Sequence, residues 1–523
     1  MRYRVPIALI AVVVGTGACC ALDTPWRCLW PPVASLLVII ATRHALAGLL
    51  AGGLAGALML AGGDPLTALW AMVADHLAPS LRSSWKLGAI TFTLVLGGFA
   101  AIIEAGGGFR TLLIRLAPPG RARARRLESA AACLGLLCFF DGLANSLVVG
   151  RVGRDLADRS GVARVKLAYI ADSTSSAVAC VAFISTWIAF QLSMIGEAYA
   201  LAGHQVNPYS VFLASTPYNF YCWFTLVMMF VAIRMQYHPG PMRRFVNEAA
   251  TNHKPASDVE AGGTIPSALI PLGVLIASFF AYFLVLGSPR PVLPLDRDKL
   301  VAAFGSDAGP LVLVLSGVTA TLAAVMLFPP QDGRRPRPAA VAFAGGVRTM
   351  VGPVFILLAA WILGSVIGAL GTAEFIAGIT AQTGSMVLLP SLVFLSGAAI
   401  SFTTGTSWGT MGLLFPLAVP AAAEMGIAED RLPIIVAGVF SGAVFGDHCS
   451  PFSDTTIVTS ISCGVEPHDH VRTQIPYALI TALAALSLGF LPAGYGIPAP
   501  VCLIMGTVGL LLPPTLARRF ARA

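Results

Sequence analysis

The chain has 523 residues, of which 56% are hydrophobic and 11% charged, with a mean hydropathy of +0.80. Soluble chains carry about 25% charged residues, so this composition excludes a soluble domain and gives an all-α polytopic membrane protein. The net charge of +8 does not indicate nucleic acid, because Lys and Arg in such a chain report topology.

The first apolar run, residues 5–22, looks like a signal peptide. With many spans following, it reads as an uncleaved first helix. Runs at 31–42 and 44–62 come next, then an amphipathic stretch at 64–86 read as an external loop. Run 87–105 ends at Arg110, Arg115, Arg121, Arg123, Arg125 and Arg126, which the positive-inside rule makes cytoplasmic. Segment 128–150 carries Asp141 and Asn145 and is followed by another basic loop, Arg151 to Lys166. Both its ends then lie on one side, so it is expected to be a re-entrant hairpin, tolerated where it lines a cavity or is buried in protein. Residues 167–196 cross outward and 209–234 return.

The polar stretch 236–264 divides the chain into a half at 1–235 and a half at 265–523 and is expected to be a cytoplasmic linker. Runs 265–287, 309–328 and 349–370 follow. Segment 386–424 contains Ser401-Phe-Thr-Thr-Gly-Thr-Ser-Trp408 and precedes an acidic loop, so it reads as a second hairpin, opening outward. Runs 432–461, 474–491 and 497–516 complete the chain. This gives about 12 transmembrane helices plus two re-entrant hairpins. The ten cysteines form no CxxC pair and read as small apolar residues.

The halves resemble each other. Gly161 to Leu167 matches Gly426 to Leu432, Ser175 to Val178 matches Ser441 to Val444, and Leu96 to Phe99 matches Leu363 to Val366, at offsets of 265 to 267 residues. Run 87–105 goes inward while its partner 349–370 goes outward. The repeats are therefore expected to be inverted in topology, as in alternating-access transporters.

The chemistry concentrates in Gly446 to Ala478. An apolar run is interrupted there by Asp447, His448, Ser450, Pro451, Ser453, Asp454 and Thr455. Pro451 breaks the helix, and each intramembrane carboxylate costs about 2.5–3.5 kcal/mol on insertion scales. Broken helix, carboxylates and hydroxyls together suit a small hard cation that has lost its water. Oxygen donors are preferred by hard cations, so Asp447 and Asp454 are the expected Na+ ligands. Ser450, Ser453, Thr455, Thr404, Ser407 and Asn145 are candidate neutral ligands, and Cys449 is packing. Asp141, Asp172 and Ser173 are the first-half candidates. His448 is a candidate pH gate, or a histidine bonded to a helix end. A zinc reading of His468, Asp469 and His470 lacks recognised spacing. Ser450, His448 and Asp447 lie too close together on one broken helix for a catalytic triad, so no enzyme is expected. A channel is disfavoured by the inverted repeats.

Gly446-Asp-His-Cys-Ser-Pro-Phe-Ser-Asp-Thr-Thr456 and Asp469-His-Val-Arg-Thr-Gln-Ile-Pro-Tyr477 resemble the signature of the NhaC-type sodium/proton antiporter family. Phe140-Asp141, Ala144-Asn145, Leu167 to Ser173, Ile184 to Trp187 and Thr403 to Gly409 are similar to its other motifs. Many members of that family carry a second acid after the position of Asp141, where this chain has Gly142. The resemblance covers roughly residues 30–495. It implies Na+ for H+ exchange across the bacterial inner membrane by a multi-pass protein with no cofactor. One carboxylate that holds either ion couples the two flows. The expected partners are membrane lipid and a small cation; a homodimer stays open. The wider group also contains antiporters of organic anions or amino acids, and that alternative stays open too.

Overall fold

The computed structural model describes residues 4–22, 24–117, 124–251, 263–288, 297–329, 336–381 and 386–520. Among the described residues there are helices and no strands. In chain order the main helices are α1 (Arg4–Ala21), α2 (Trp30–Thr42), α3 (Ala45–Leu60), α4 (Ser84–Ala105), α5 (Ala124–Leu137), α6 (Gly142–Ser160), α7 (Arg164–Val181), α8 (Thr186–Leu201) and α9 (Phe220–Met235). After the stretch 236–264 come α10 (Pro266–Gly287), α11 (Gly309–Met326), α12 (Pro336–Ala369), α13 (Leu389–Thr404), α14 (Ser407–Glu424), α15 (Leu432–Cys449), α16 (Asp454–Cys463), α17 (Pro467–Ala484) and α18 (Ala499–Phe520). Proline stands in the first turn of α2, α10, α11, α13, α15 and α17, where its missing N–H costs nothing.

Among the described residues, eight helical stretches are long and apolar enough to cross a membrane, or eleven if each of three bent helix pairs is one span. Burial sorts them into layers. In Glu429–Cys463, which contains α15 and α16, 94% of the most apolar window is buried against protein; for Pro266–Gly287 and Ala499–Leu516 the figure is 28%. The polar-interrupted segment is therefore the centre of the bundle, and α10 and α18 form its margin.

The same run of elements occurs twice. α5 and α6 meet at a turn, and α7 continues into α8 across a 44° break. In the second half α13 and α14 meet at Gly405–Thr406, and α15 gives way to α16 at 450–453. Gly161 and Gly426, matched in the sequence, both have positive φ (67° and 83°) and both precede the broken helix.

Several expected boundaries move. The basic stretch Arg151 to Lys166 is not a loop: α6 runs to Ser160 and α7 begins at Arg164. Lys166 is fully buried, with its Nζ 3.5 Å from His238 Nδ1 and over the rings of Tyr169 and Tyr477. Burial, then the neighbouring Lys166, pushes the His238 imidazole down to about 4. The 64–86 stretch holds three short helical turns beginning at Pro65, because Asp64 caps the first by accepting from Leu66 N and Thr67 N. The 236–264 linker contains a helix, Met242–Thr251; its residues 252–262 lie outside the described ones.

Candidate functional site

Pro451 sets the local geometry. It has no N–H for the carbonyl of Asp447, four residues back, so that carbonyl loses its helical partner. The hydroxyls of Thr455 and Thr456 donate to it instead, at 3.1 and 3.0 Å. The next carbonyl, of His448, is taken by Gln474 Nε2 of α17. The broken helix is packed against the turn of the second hairpin. Ser450 Oγ donates to Phe402 O (2.7 Å) and Ser401 Oγ to Ala443 O (2.6 Å). Gly446 permits that approach, since a Cβ there would stand 2.2 Å from Ser401 C. Gly405 turns the hairpin with φ +71° directly over Phe452.

Beside the break lies a cavity of about 170 Å³, lined by Asp141, Asp447, Asp454, Thr186, Trp187, Thr406, Ser407, Trp408 and Thr455, with α12 closing it through Met350 to Ile356. Asp447 is buried; its Oδ2 accepts from Ser176 Oγ (2.7 Å) and its Oδ1 from Ser453 Oγ (2.8 Å). Asp454 opens the first turn of α16 and is exposed. Asp141 caps α6, accepting from Ala144 N (2.6 Å), and also accepts from Thr186 Oγ1 (2.8 Å). That second bond joins the first hairpin's turn to the start of α8, as does Thr186 N donating to Phe140 O (2.8 Å).

Four helix N-termini meet here: those of α6, α8, α14 and α16. Ser185 and Thr406 cap α8 and α14. Each N-terminus carries roughly +0.5 charge. Among the described residues lining the cavity are three carboxylates and no Lys, Arg or His. The two tryptophans sit edge to face with centroids 6.4 Å apart, and Phe190 covers Trp408 at 4.4 Å.

Of the residues expected from sequence, Asp141, Ser407, Asp447, Asp454 and Thr455 line this cavity, and Ser453 is one hydrogen bond from it. Asn145, Thr404 and Ser450 are engaged elsewhere. Asn145 Nδ2 donates to Gly135 O and Thr174 O (2.7 and 2.8 Å), clamping the hairpin to α7. Thr404 Oγ1 donates to Ile400 O of its own helix. Asp172, Ser173 and His448 belong to a second polar cluster. His448 pairs with Ser173 Oγ through Nε2 and with Tyr221 OH through Nδ1, both at 2.9 Å. Asp172 Oδ2 accepts from Gln474 Nε2 at 2.7 Å and meets His470 Nε2 at 3.3 Å. His470 thus faces a carboxylate on another helix rather than its neighbours His468 and Asp469. Cys449 donates to Phe445 O, as packing.

Sequence reading did not name Ser176, Thr186, Tyr221 or Gln474 as site residues, although Thr186 and Gln474 lie inside the motifs quoted above. Ser176 was within reach, as it stands one helical turn from Asp172 in a run of hydroxyls. Tyr221 carried no local signal.

A sequence model described as the Na+/H+ antiporter family matches residues 178–494. An uncharacterized protein of Haemophilus influenzae is 31% identical over 474 residues, 89% of this chain and 90% of the relative. Local matches include the malate-2H(+)/Na(+)-lactate antiporter of Bacillus subtilis, 34% identical over 27% of this chain and 29% of that protein. The Na(+)/H(+) antiporter NhaC of Alkalihalophilus pseudofirmus is 30% identical over 28% and 32%. Among solved structures, the Alcanivorax borkumensis YdaH transporter aligns with a TM-score of 0.59 at 16% identity, covering 83% of this chain and 90% of its own. At that identity the likeness is one of fold.

Proposed function

The chain belongs to the Na+/H+ antiporter family, and from that premise we propose that it exchanges Na+ for H+ across the bacterial inner membrane by alternating access. The observation that carries this reading is the charge of the cavity. With all three ionised, the carboxylates contribute −3, and four helix N-termini contribute roughly +2. The remainder, about −1, is the charge that one Na+ or one H+ neutralises. Asp447 and Asp454 are the shared carboxylates, with Asp141 holding the first hairpin against them. The hydroxyls of Ser407, Ser453 and Thr455 are the neutral oxygens. Because Asp447, Asp454 and Asp141 stand on broken or capped helix ends, small rotations of the hairpins expose them to one side or the other. In this reading the hairpins are re-entrant and the halves inverted.

A second reading, ion-coupled exchange of an organic anion or amino acid, is favoured by a separate observation. A cavity of about 740 Å³ is lined by Lys86 and Glu197, paired at 2.9 Å, together with Ser80, Ser193 and Asn207. That space suits an organic solute better than a bare ion. The B. subtilis relative is named for such solutes.

The deciding measurement uses purified protein in liposomes with a pH dye inside. Addition of Na+ or Li+ outside is expected to move protons, and addition of malate, lactate or an amino acid without Na+ is not. Proton movement driven by organic solutes alone would replace the first reading with the second.

A further inference from the structure

The Asp172 cluster contains three buried polar atoms that have no hydrogen-bond partner among the described residues: Asp172 Oδ1, His470 Nδ1 and Gln474 Oε1. Their side chains are 0 to 1% exposed. A buried polar atom left unmatched costs about 1–3 kcal/mol, and native structures keep few of them. Three in one contact group need a reason. Among the described residues Asp172 meets no Lys or Arg; its ion-pair contact is with His470 Nε2. An ionised Asp172 beside a neutral imidazole leaves a buried negative charge, and a second proton on the imidazole cancels it.

The cluster's place in the fold gives that proton somewhere to go. Asp172, Ser173 and Ser176 lie within about one turn of α7. Ser176 holds the cavity carboxylate Asp447, Ser173 holds His448, and Asp172 turns to α17. Gln474 Nε2 bridges Asp172 Oδ2 to the broken end of α15. In the chain His470, itself buried, follows Asp469, which lines a surface cleft of about 320 Å³ with Asp158, Arg164, Glu248 and Glu466. The titratable groups within electrostatic reach of Asp172 are Asp447, His448 and Cys449 from α15, and Asp454 and Cys463 from α16. Tyr221 from α9 touches His448, and Tyr169 and Lys166 lie one and two turns along α7. Among the described residues, none of these comes within ion-pair distance of Asp172.

We propose that Asp172, His470 and Gln474 form a second proton-binding site, set between the cavity acids and the cleft, that accepts the proton Na+ displaces. The carboxyl O–H of the displaced proton breaks as an N–H forms on His470 Nδ1, while Nε2–H holds Asp172; that N–H breaks in turn when the proton leaves to the cleft, and no other bond changes. The inference rests on the Na+/H+ reading for the proton's origin, but the site is testable without transport.

The test is the ¹⁵N spectrum of histidine-labelled protein in detergent without Na+, from mildly acid to mildly alkaline solution. The His470 signal is assigned by its loss in His470→Gln or His470→Asn. The expected result is a ring doubly protonated at the acid end and singly protonated at the alkaline end. A ring with one proton throughout, as when an ordered water satisfies the three atoms, overturns the site. In liposomes, His470→Gln, whose amide still donates to Asp172, is expected to slow Na+-driven proton release by roughly 100-fold with ²²Na+ binding unchanged. An unchanged rate overturns the relay. Wild-type protein that moves no protons with Na+ overturns the antiport reading alone, because the spectrum still decides whether the site exists.

Discussion

Replacing Asp447 by Asn tests the ion site most directly, because its two effects differ in size. Asp447 accepts from Ser176 at 2.7 Å and from Ser453 at 2.8 Å. Asn keeps one acceptor oxygen, and its amide donates to the other hydroxyl, which can accept as well as donate. Two bonds to a charged group, about 1.5–3 kcal/mol each, become two neutral ones of about 0.5–1.5 kcal/mol. The net loss, about 2–3 kcal/mol, is offset by no longer burying a charge, so the variant is expected to insert and purify. A cation about 4 Å from the carboxylate loses about 4 kcal/mol of attraction at an effective dielectric of about 20. That corresponds to roughly 1000-fold in Na+ affinity. Na+-dependent proton release in liposomes, with thermal unfolding on the same preparation, measures both. Asp454→Asn is expected to behave alike and to lose less stability, since Asp454 is exposed and accepts a hydrogen bond from the backbone N–H of its neighbour Thr455. If both variants fold and exchange near wild-type rates, the assignment is wrong and Asp141 and Asp172 become the leading acids. If Asp447→Asn unfolds, as when removal of one member breaks a buried pair at about 3–5 kcal/mol, the carboxylate is structural.

Other substitutions separate packing from ion binding. Gly446→Ala places a methyl against the Ser401 backbone and is expected to destabilise by about 1–3 kcal/mol, seen as a lower Tm; an unchanged Tm would mean that α13 and α15 separate easily. Asn145→Ala removes the clamp from Gly135 and Thr174 and is expected to lower Tm while leaving Na+ affinity within about threefold, since the two amide bonds are worth about 1 kcal/mol each; a large loss of affinity at normal Tm would restore Asn145 as a ligand. Cysteines at Arg110 and Asp155 are expected to label from the same, cytoplasmic side, and labelling from opposite sides would remove the re-entrant first hairpin.

Sequence by itself determined the class of this protein and pointed to the residues of a candidate site. Hydropathy fixes the apolar helices, and carboxylates in the middle of such a run are costly enough to mark Asp447 and Asp454 before any fold is known. Pro451 and Gly405 announce their breaks, because proline lacks a donor and glycine accepts positive φ. Helix ends were less legible: α6 carries its arginines through to Ser160, since charge density alone does not separate an exposed helix face from a loop. Which oxygens share a space was decided only by tertiary packing. Asp141 lies 266 residues before Ser407 and 313 before Asp454, and they meet because four helix N-termini converge on one cavity. Asn145 and Ser450, equally promising as residue types, were claimed by backbone carbonyls from neighbouring helices. Asp172 and His470, 298 residues apart, become partners because α7 and α17 pack together. A buried hydrogen-bonding group takes whichever partner packing brings within about 3 Å, and sequence spacing carries no record of that distance.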